Sequence, residues 1–216
     1  MMERVDGESL LHCTTRQLMV ALDSLIAMQS EFWKTGIAPC AAALEHRRRR
    51  RDYLRDPLLE RAYDCFLQMF EAAPKTLCHD DLLPFNVIVS DHRAVMIDWE
   101  AAGIVAYPTS LARLIAHGSE EPENLFYMTD ADRKTAIDYY YDKLLRSRGI
   151  TYEEYRRTLD LAVFYEYCEW VYVGNKYGDT QSDYYQKYRV LARKSARSIL
   201  SATGGGVERG KCIAKI

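Results

Sequence analysis

The sequence predicts an α+β chain, mostly α, in which helices surround one small β-hairpin. Apolar residues recur at helical spacing along most of its length. Only Val87-Ile88-Val89 and Ala94-Val95-Met96-Ile97, on either side of the turn Asp91-His92-Arg93, read as paired short strands. With 216 residues, 48% of them hydrophobic, the chain can bury one sizeable core, and nothing in the composition divides it.

Taken in order, residues 1–10 read as an extended piece, a Gly7 turn and the approach to a helix. Thr14 or Thr15 caps a helix running to about Trp33, with Leu18, Leu22, Leu25, Ile26, Gln29 and Trp33 on one stripe. Gly36 and Pro39 break it. Five consecutive arginines, Arg47 to Arg51, read as a solvated helix face, because the aromatics of a strand-binding groove are not interleaved with them. Asp56-Pro57 opens a helix whose apolar face is Leu58, Leu59, Ala62, Phe66, Met69 and Phe70, ending near Ala73-Pro74. The hairpin follows directly.

Beyond the hairpin, residues 101–108 read as an irregular connection, and Thr109 or Ser110 caps a helix carrying Leu111, Leu114 and Ile115. Three further helices are expected. Asp130 caps the first, which ends at Gly149; a Thr151–Glu154 capping box opens the second, which runs to about Gly174; Thr180 starts the third, and Gly204-Gly205-Gly206 ends it. Residues 1–203 form the expected folded unit, and 204–216 read as a disordered tail.

The chemistry concentrates in Leu77-Cys78-His79-Asp80-Asp81-Leu82-Leu83-Pro84-Phe85-Asn86 and Ile97-Asp98-Trp99-Glu100. Asp81 and Asn86 stand at the two ends of a loop stiffened by Pro84, and Asp98 emerges at a strand end close to Asn86. An amide and a carboxylate so placed suit Mg²⁺, which takes one or two protein oxygens and fills its shell with water and phosphates. Asp81 is left free to face an incoming hydroxyl.

This spacing is that of the kinase catalytic loop, His-x-Asp-Leu-x-x-x-Asn followed by a metal-binding Asp. Pro84 before Phe85-Asn86, and Ile97-Asp98-Trp99-Glu100 in place of Asp-Phe-Gly, resemble the aminoglycoside phosphotransferase and choline kinase-like family. The resemblance implies the helical C-terminal lobe of a protein-kinase-like fold, with ATP as phosphoryl donor and a small-molecule hydroxyl as acceptor. It implies Asp81 as catalytic base, His79 as the brace behind the loop, and Asn86 and Asp98 as Mg²⁺ ligands. A weaker resemblance makes Glu3, Arg4 and Val5 the adenine-facing hinge, although the same residues read equally as a frayed terminus. The chain departs from the family at Asp80, where Gly is usual, at Gln29, where His is frequent, and at Ser110, where an Asp usually braces the loop.

Tyr165, Tyr167, Tyr172, Tyr184 and Tyr185, with Glu166, Glu169 and Trp170, crowd the last two helices. Such a wall suits a cationic acceptor, for example an amino sugar or quaternary amine, through cation–π and charge-assisted contacts. It also reads as packing, the more frequent occupation of an aromatic stripe. Glu166, Glu169 and Trp170 are the candidate acceptor-binding residues.

Nothing ahead of Asp81 reads as a five-stranded nucleotide lobe, so this lobe is expected to be absent, lost by truncation or encoded separately. A non-catalytic helical lobe that binds a small molecule or protein is the alternative. A formal charge of −2 gives no reason to expect nucleic acid, and no apolar run approaches the roughly 18 residues that span a bilayer. Six cysteines without a Cys-x-x-Cys pair, and no signal-like opening, point to the cytoplasm.

Overall fold

A computed structural model describes residues 5–203. The chain runs β1 (Glu8–Ser9), α1 (Thr15–Glu31), α2 (Ala41–Arg51), α3 (Pro57–Ala72), β2 (Lys75–Cys78), β3 (Val87–Val89), β4 (Ala94–Met96) and β5 (Gly103–Ala106). It continues with α4 (Pro108–Ile115), α5 (Asp130–Tyr140), α6 (Tyr152–Tyr177) and α7 (Asp183–Thr203). Two small antiparallel sheets, ordered β1-β3-β4 and β2-β5, lie among the helices.

The helix boundaries follow local chemistry. Thr14 caps α1 in a reciprocal box with Gln17, and Asp56 accepts from the Leu58 N–H at α3, where Pro57 occupies the first turn. Thr151 and Glu154 form the box expected at α6, which ends on the left-handed Gly178, a few residues beyond Gly174. Gly174 has a different use, since a side chain there would collide with the Tyr185 ring where α6 meets α7. Thr129, rather than Asp130, caps α5. From α5 the chain stays helical through one π turn and one 3₁₀ turn to Gly149.

The principal departure from expectation is the connection after Glu100. Gly103–Ala106 is a strand, paired with Lys75–Cys78 in the register Thr76↔Val105 and Leu77↔Ile104. Four residues without strict alternation carried no visible strand signal, and the pairing between segments remote in sequence decides the structure. Neither Thr109 nor Ser110 caps α4, because Pro108 opens that helix and Tyr107 precedes it. The third late helix starts at Asp183 rather than Thr180. The expected tail, 204–216, lies outside the described residues.

The core is a single cluster in which Leu18, Leu22 and Leu25 of α1, Leu59 and Phe66 of α3, Leu111 of α4 and Phe164 of α6 are fully buried. Phe66 and Tyr165 stack at 4.5 Å, joining α3 to α6. Gly7 (φ +151°) brings β1 against the hairpin, where a Cβ would stand 2.6 Å from the Val89 carbonyl oxygen. Leu10 then donates its N–H to the carbonyls of Pro84 and Val87, so the amino-terminal segment lies against the loop between Asp81 and Asn86.

Candidate active site

The loop closes on itself through the Asp81 carbonyl, which accepts from the Leu83 N–H at 2.8 Å and from the Asn86 side-chain amide at 2.9 Å. Pro84 to Asn86 form one 3₁₀ turn, with Pro84 at its start. Asn86 is buried and commits its Nδ2 to this bond, and none of the described residues donates to its Oδ1. The Ile97 N–H donates to the Asn86 carbonyl at 2.9 Å, which sets Asp98 beside Asn86 at the open end of the hairpin. Asp98 is exposed and left-handed (φ +64°), a conformation that Asp tolerates better than most residues.

These two oxygens suit a hard divalent cation in their chemistry, one carboxylate and one amide carbonyl. No group of three or more His, Cys, Asp or Glu side chains among the described residues could form a closed metal cage. Two oxygens of this kind would suit magnesium, which completes its shell with water and phosphates, better than a structural metal.

His79 is fully buried and ties the loop to the strand that leads to Asp98. Its Nε2 donates to the Ile97 carbonyl at 2.7 Å, and its ring lies 4.7 Å from that of Trp99. Its backbone N–H donates to Ser110 Oγ at 3.0 Å. Ser110 therefore supplies the acceptor that the absent acid would have provided, and the brace is uncharged.

Asp80 also has positive φ, +61°, which explains why this position favours Gly and why Asp can replace it. Its Oδ1 accepts from Arg47 Nη2 at 2.6 Å. This corrects the reading of Arg47 to Arg51 as a solvated face. Arg47 is only 4% exposed, with its guanidinium over the rings of Phe70 at 4.3 Å and Tyr165 at 4.9 Å. Burial alone would lower the Arg47 pKa, but Tyr165, Asp80 and Glu169 around it outweigh burial and raise it. Arg50 pairs with Glu169 at 2.7 Å and also donates to the Tyr165 hydroxyl. Arg48 and Arg49 remain exposed, so the run is solvated on one side only. Its helical period, which turns residues 47 and 50 inward together, was the available signal.

Arg113 was not singled out in the sequence. It donates to Asp81 Oδ1 through Nε at 3.0 Å and Nη2 at 2.7 Å, and to Glu166 Oε2 through Nη1 at 2.7 Å. Burial would raise the Glu166 pKa, yet Arg113 and His117 hold it below the usual carboxylate value. His117 Nε2 stands 3.6 Å from Glu166, and its Nδ1 is bonded to the Tyr188 hydroxyl at 2.8 Å.

The candidate acceptor residues have different environments. Glu166 is buried in these pairs, whereas burial raises the Glu169 carboxyl to about 7 against the opposing pull of Arg50. Trp170 is partly exposed and stacks on Tyr184 at 5.3 Å and Tyr188 at 5.5 Å. Tyr165 and Tyr185 are packing residues, buried in the core. Of the expected hinge, only Val5 is among the described residues; Glu3 and Arg4 lie outside them.

A kinase-like helical lobe, with a hairpin that presents two acids and an amide at one end, is the class of structure these observations define. Residues 1–139 match the phosphotransferase enzyme family, and the chain belongs to that family. A search of curated proteins gave no match. Among solved structures, the choline kinase of Cryptosporidium parvum Iowa II is similar with a TM-score of 0.60 at 14% identity, over 93% of this chain and 71% of that one. An ethanolamine kinase of Plasmodium vivax gives 0.58 at 14% identity, over 89% and 63%. Choline kinase LicA of Streptococcus pneumoniae gives 0.52 at 18% identity, over 85% and 64%. The chain thus spans somewhat under two thirds of the last two, and at these identities the likeness concerns the fold.

Proposed function

We propose that this chain transfers the γ-phosphoryl group of ATP to a hydroxyl of a small, cationic molecule. The observation that carries the reading is the convergence of Asp81, Asn86 and Asp98, linked by the Asn86 amide to the Asp81 carbonyl and by the Ile97 N–H to the Asn86 carbonyl. Asp81 orients the acceptor hydroxyl and takes its proton as the oxygen attacks phosphorus and ADP leaves. Asn86 Oδ1 and the Asp98 carboxylate would hold magnesium, which when bound neutralises charge on the phosphate oxygens. His79 acts as a positioning residue, keeping the loop at a fixed distance from Asp98.

For the acceptor, Trp170 with Tyr184 and Tyr188 offers a partly exposed aromatic surface, chemistry that attracts a cation, while Glu166 and Glu169 are already paired with Arg113 and Arg50. The choline and ethanolamine kinases among the structural neighbours point to the same class. Val5 would belong to the hinge that faces adenine. Phosphoryl transfer depends on positioning and electrostatic stabilisation, so full turnover requires a nucleotide-covering lobe, on this polypeptide or a separate one. The cytoplasm expected from the sequence would supply the ATP.

Calorimetric titration with ATP, with and without magnesium, tests the reading. Wild-type protein is expected to bind more tightly with magnesium, and Asp98→Asn to lose about tenfold or more of that gain, the worth of one contact to a charged group. Nucleotide binding indifferent to magnesium in the wild type would favour a non-catalytic binding module instead.

A further inference from the structure

We propose that Arg113 is the positioning residue that selects which oxygen of Asp81 receives the proton, by occupying Oδ1 and leaving Oδ2 to face the acceptor hydroxyl. The inference rests on the reading of Asp81 as the base. Its geometry is unusual for an arginine–carboxylate pair. A parallel fork would engage both carboxylate oxygens. Here Nε and Nη2 both point at Oδ1, at 3.0 and 2.7 Å, and Oδ2 receives no donor from any described residue.

The guanidinium is held in this side-on pose from behind. Its third nitrogen, Nη1, donates to Glu166 Oε2 at 2.7 Å, and the Glu166 side chain is only 5% exposed. Turning the guanidinium to reach Oδ2 would break that pair and leave a buried carboxylate without its partner, a strongly unfavourable change. The base of the pose is equally fixed. Arg113 lies three residues after Ser110 on α4, so both fall on one helix face. Ser110 accepts the His79 N–H while Arg113 grips Asp81, and a single helical face thus registers both ends of the His79–Asp81 segment.

The arrangement also suits the proton balance. As the acceptor O–H bond breaks, its proton passes to Oδ2, the acceptor oxygen bonds to the γ-phosphorus, and the bond from phosphorus to the β,γ-bridging oxygen breaks to release ADP. Asp81 becomes neutral at that moment. Arg113 keeps Glu166 as its counterion, so protonation of Asp81 does not strand a buried cation.

The test is steady-state phosphoryl transfer from magnesium-ATP to choline by wild-type protein, Arg113→Lys and Arg113→Ala, the last with and without added guanidinium. Loss of positioning lowers kcat by about 10²-fold with the KM for ATP little changed, and guanidinium restores part of the loss in Arg113→Ala. Arg113→Lys, which keeps the charge, remains well below wild type because one ammonium cannot hold both carboxylates in the same plane. A merely structural role would lower the melting temperature without rescue by guanidinium. Arg113→Ala with kcat within about threefold of wild type, or a loss that guanidinium leaves untouched, overturns the inference. Should Arg113→Ala fail to fold, Arg113→Lys with wild-type kcat overturns it and the expected deficit upholds it.

If wild-type protein phosphorylates neither choline nor ethanolamine, the cause lies in the acceptor class or in the need for a nucleotide-covering lobe, and not in Arg113. The Arg113 Nε–H resonance in an isotope-edited proton spectrum then decides the inference. A resonance displaced by Asp81→Asn upholds the clamp, and one indifferent to that substitution overturns it.

Discussion

Asp80 and Arg47 hold the loop from beneath through a 2.6 Å ion pair that is 13% exposed on the acid and 4% on the base. Removing one member of such a pair leaves a buried charge without its counterion. Arg47→Met is therefore expected to destabilise the fold by about 3–5 kcal/mol, whereas the same substitution in an Asp80→Asn background costs much less, because an amide needs no counterion. Denaturant unfolding of the four proteins in this cycle measures the difference, and equal costs in both backgrounds would show that the pair is not the cause. Glu169 gives a pH-dependent counterpart. Its carboxyl titrates near 7 in the folded chain against an ordinary 4.5, because burial favours the protonated form. Below pH 4.5 the group is protonated in both states; as pH rises to 7 the unfolded chain loses its proton first, and the folded state loses up to roughly 3 kcal/mol of relative stability. Glu169→Gln removes that slope. Its melting temperature relative to wild type should rise between pH 5 and pH 8, and parallel profiles would contradict this account.

Among the elements, α4 illustrates what can and cannot be read from sequence. Leu111, Leu114 and Ile115 marked it as a helix with a buried face, and that is what forms. Ser110 drew notice only as the place where a bracing Asp is usual, and Arg113 gave no signal, since an Arg on a short helix reads as solvent-facing until its partners from the loop and α6 are in place. The arginine run on α2 misled for the same reason. Composition alone says that arginines are solvated, and only the positions of Phe70, Tyr165 and Asp80 draw Arg47 inward. The hairpin of β3 and β4 was legible because both strands and their turn are contiguous. The β2–β5 pair was not, since its partners stand more than twenty residues apart and neither alternates clearly.

At the scale of the whole molecule, the two motifs around Asp81 and Asp98 were sufficient to identify a kinase-like helical lobe, and the family match and the solved choline and ethanolamine kinases agree with that fold. The contacts that tune the site were not legible, because Arg47, Arg113 and Glu166 come from three helices and His117 from the turn after α4, and they meet only after folding. The central claim is that Asp81 accepts a proton during transfer of a phosphoryl group to a small-molecule hydroxyl. Its most direct test follows the labelled γ-phosphoryl group from magnesium-ATP to choline or ethanolamine, comparing wild type with Asp81→Asn. Wild-type protein is expected to transfer the label, and the variant to lose about 10²–10⁴-fold in kcat, the usual contribution of a positioned base, with its melting behaviour preserved. Equal transfer by the two proteins would contradict it.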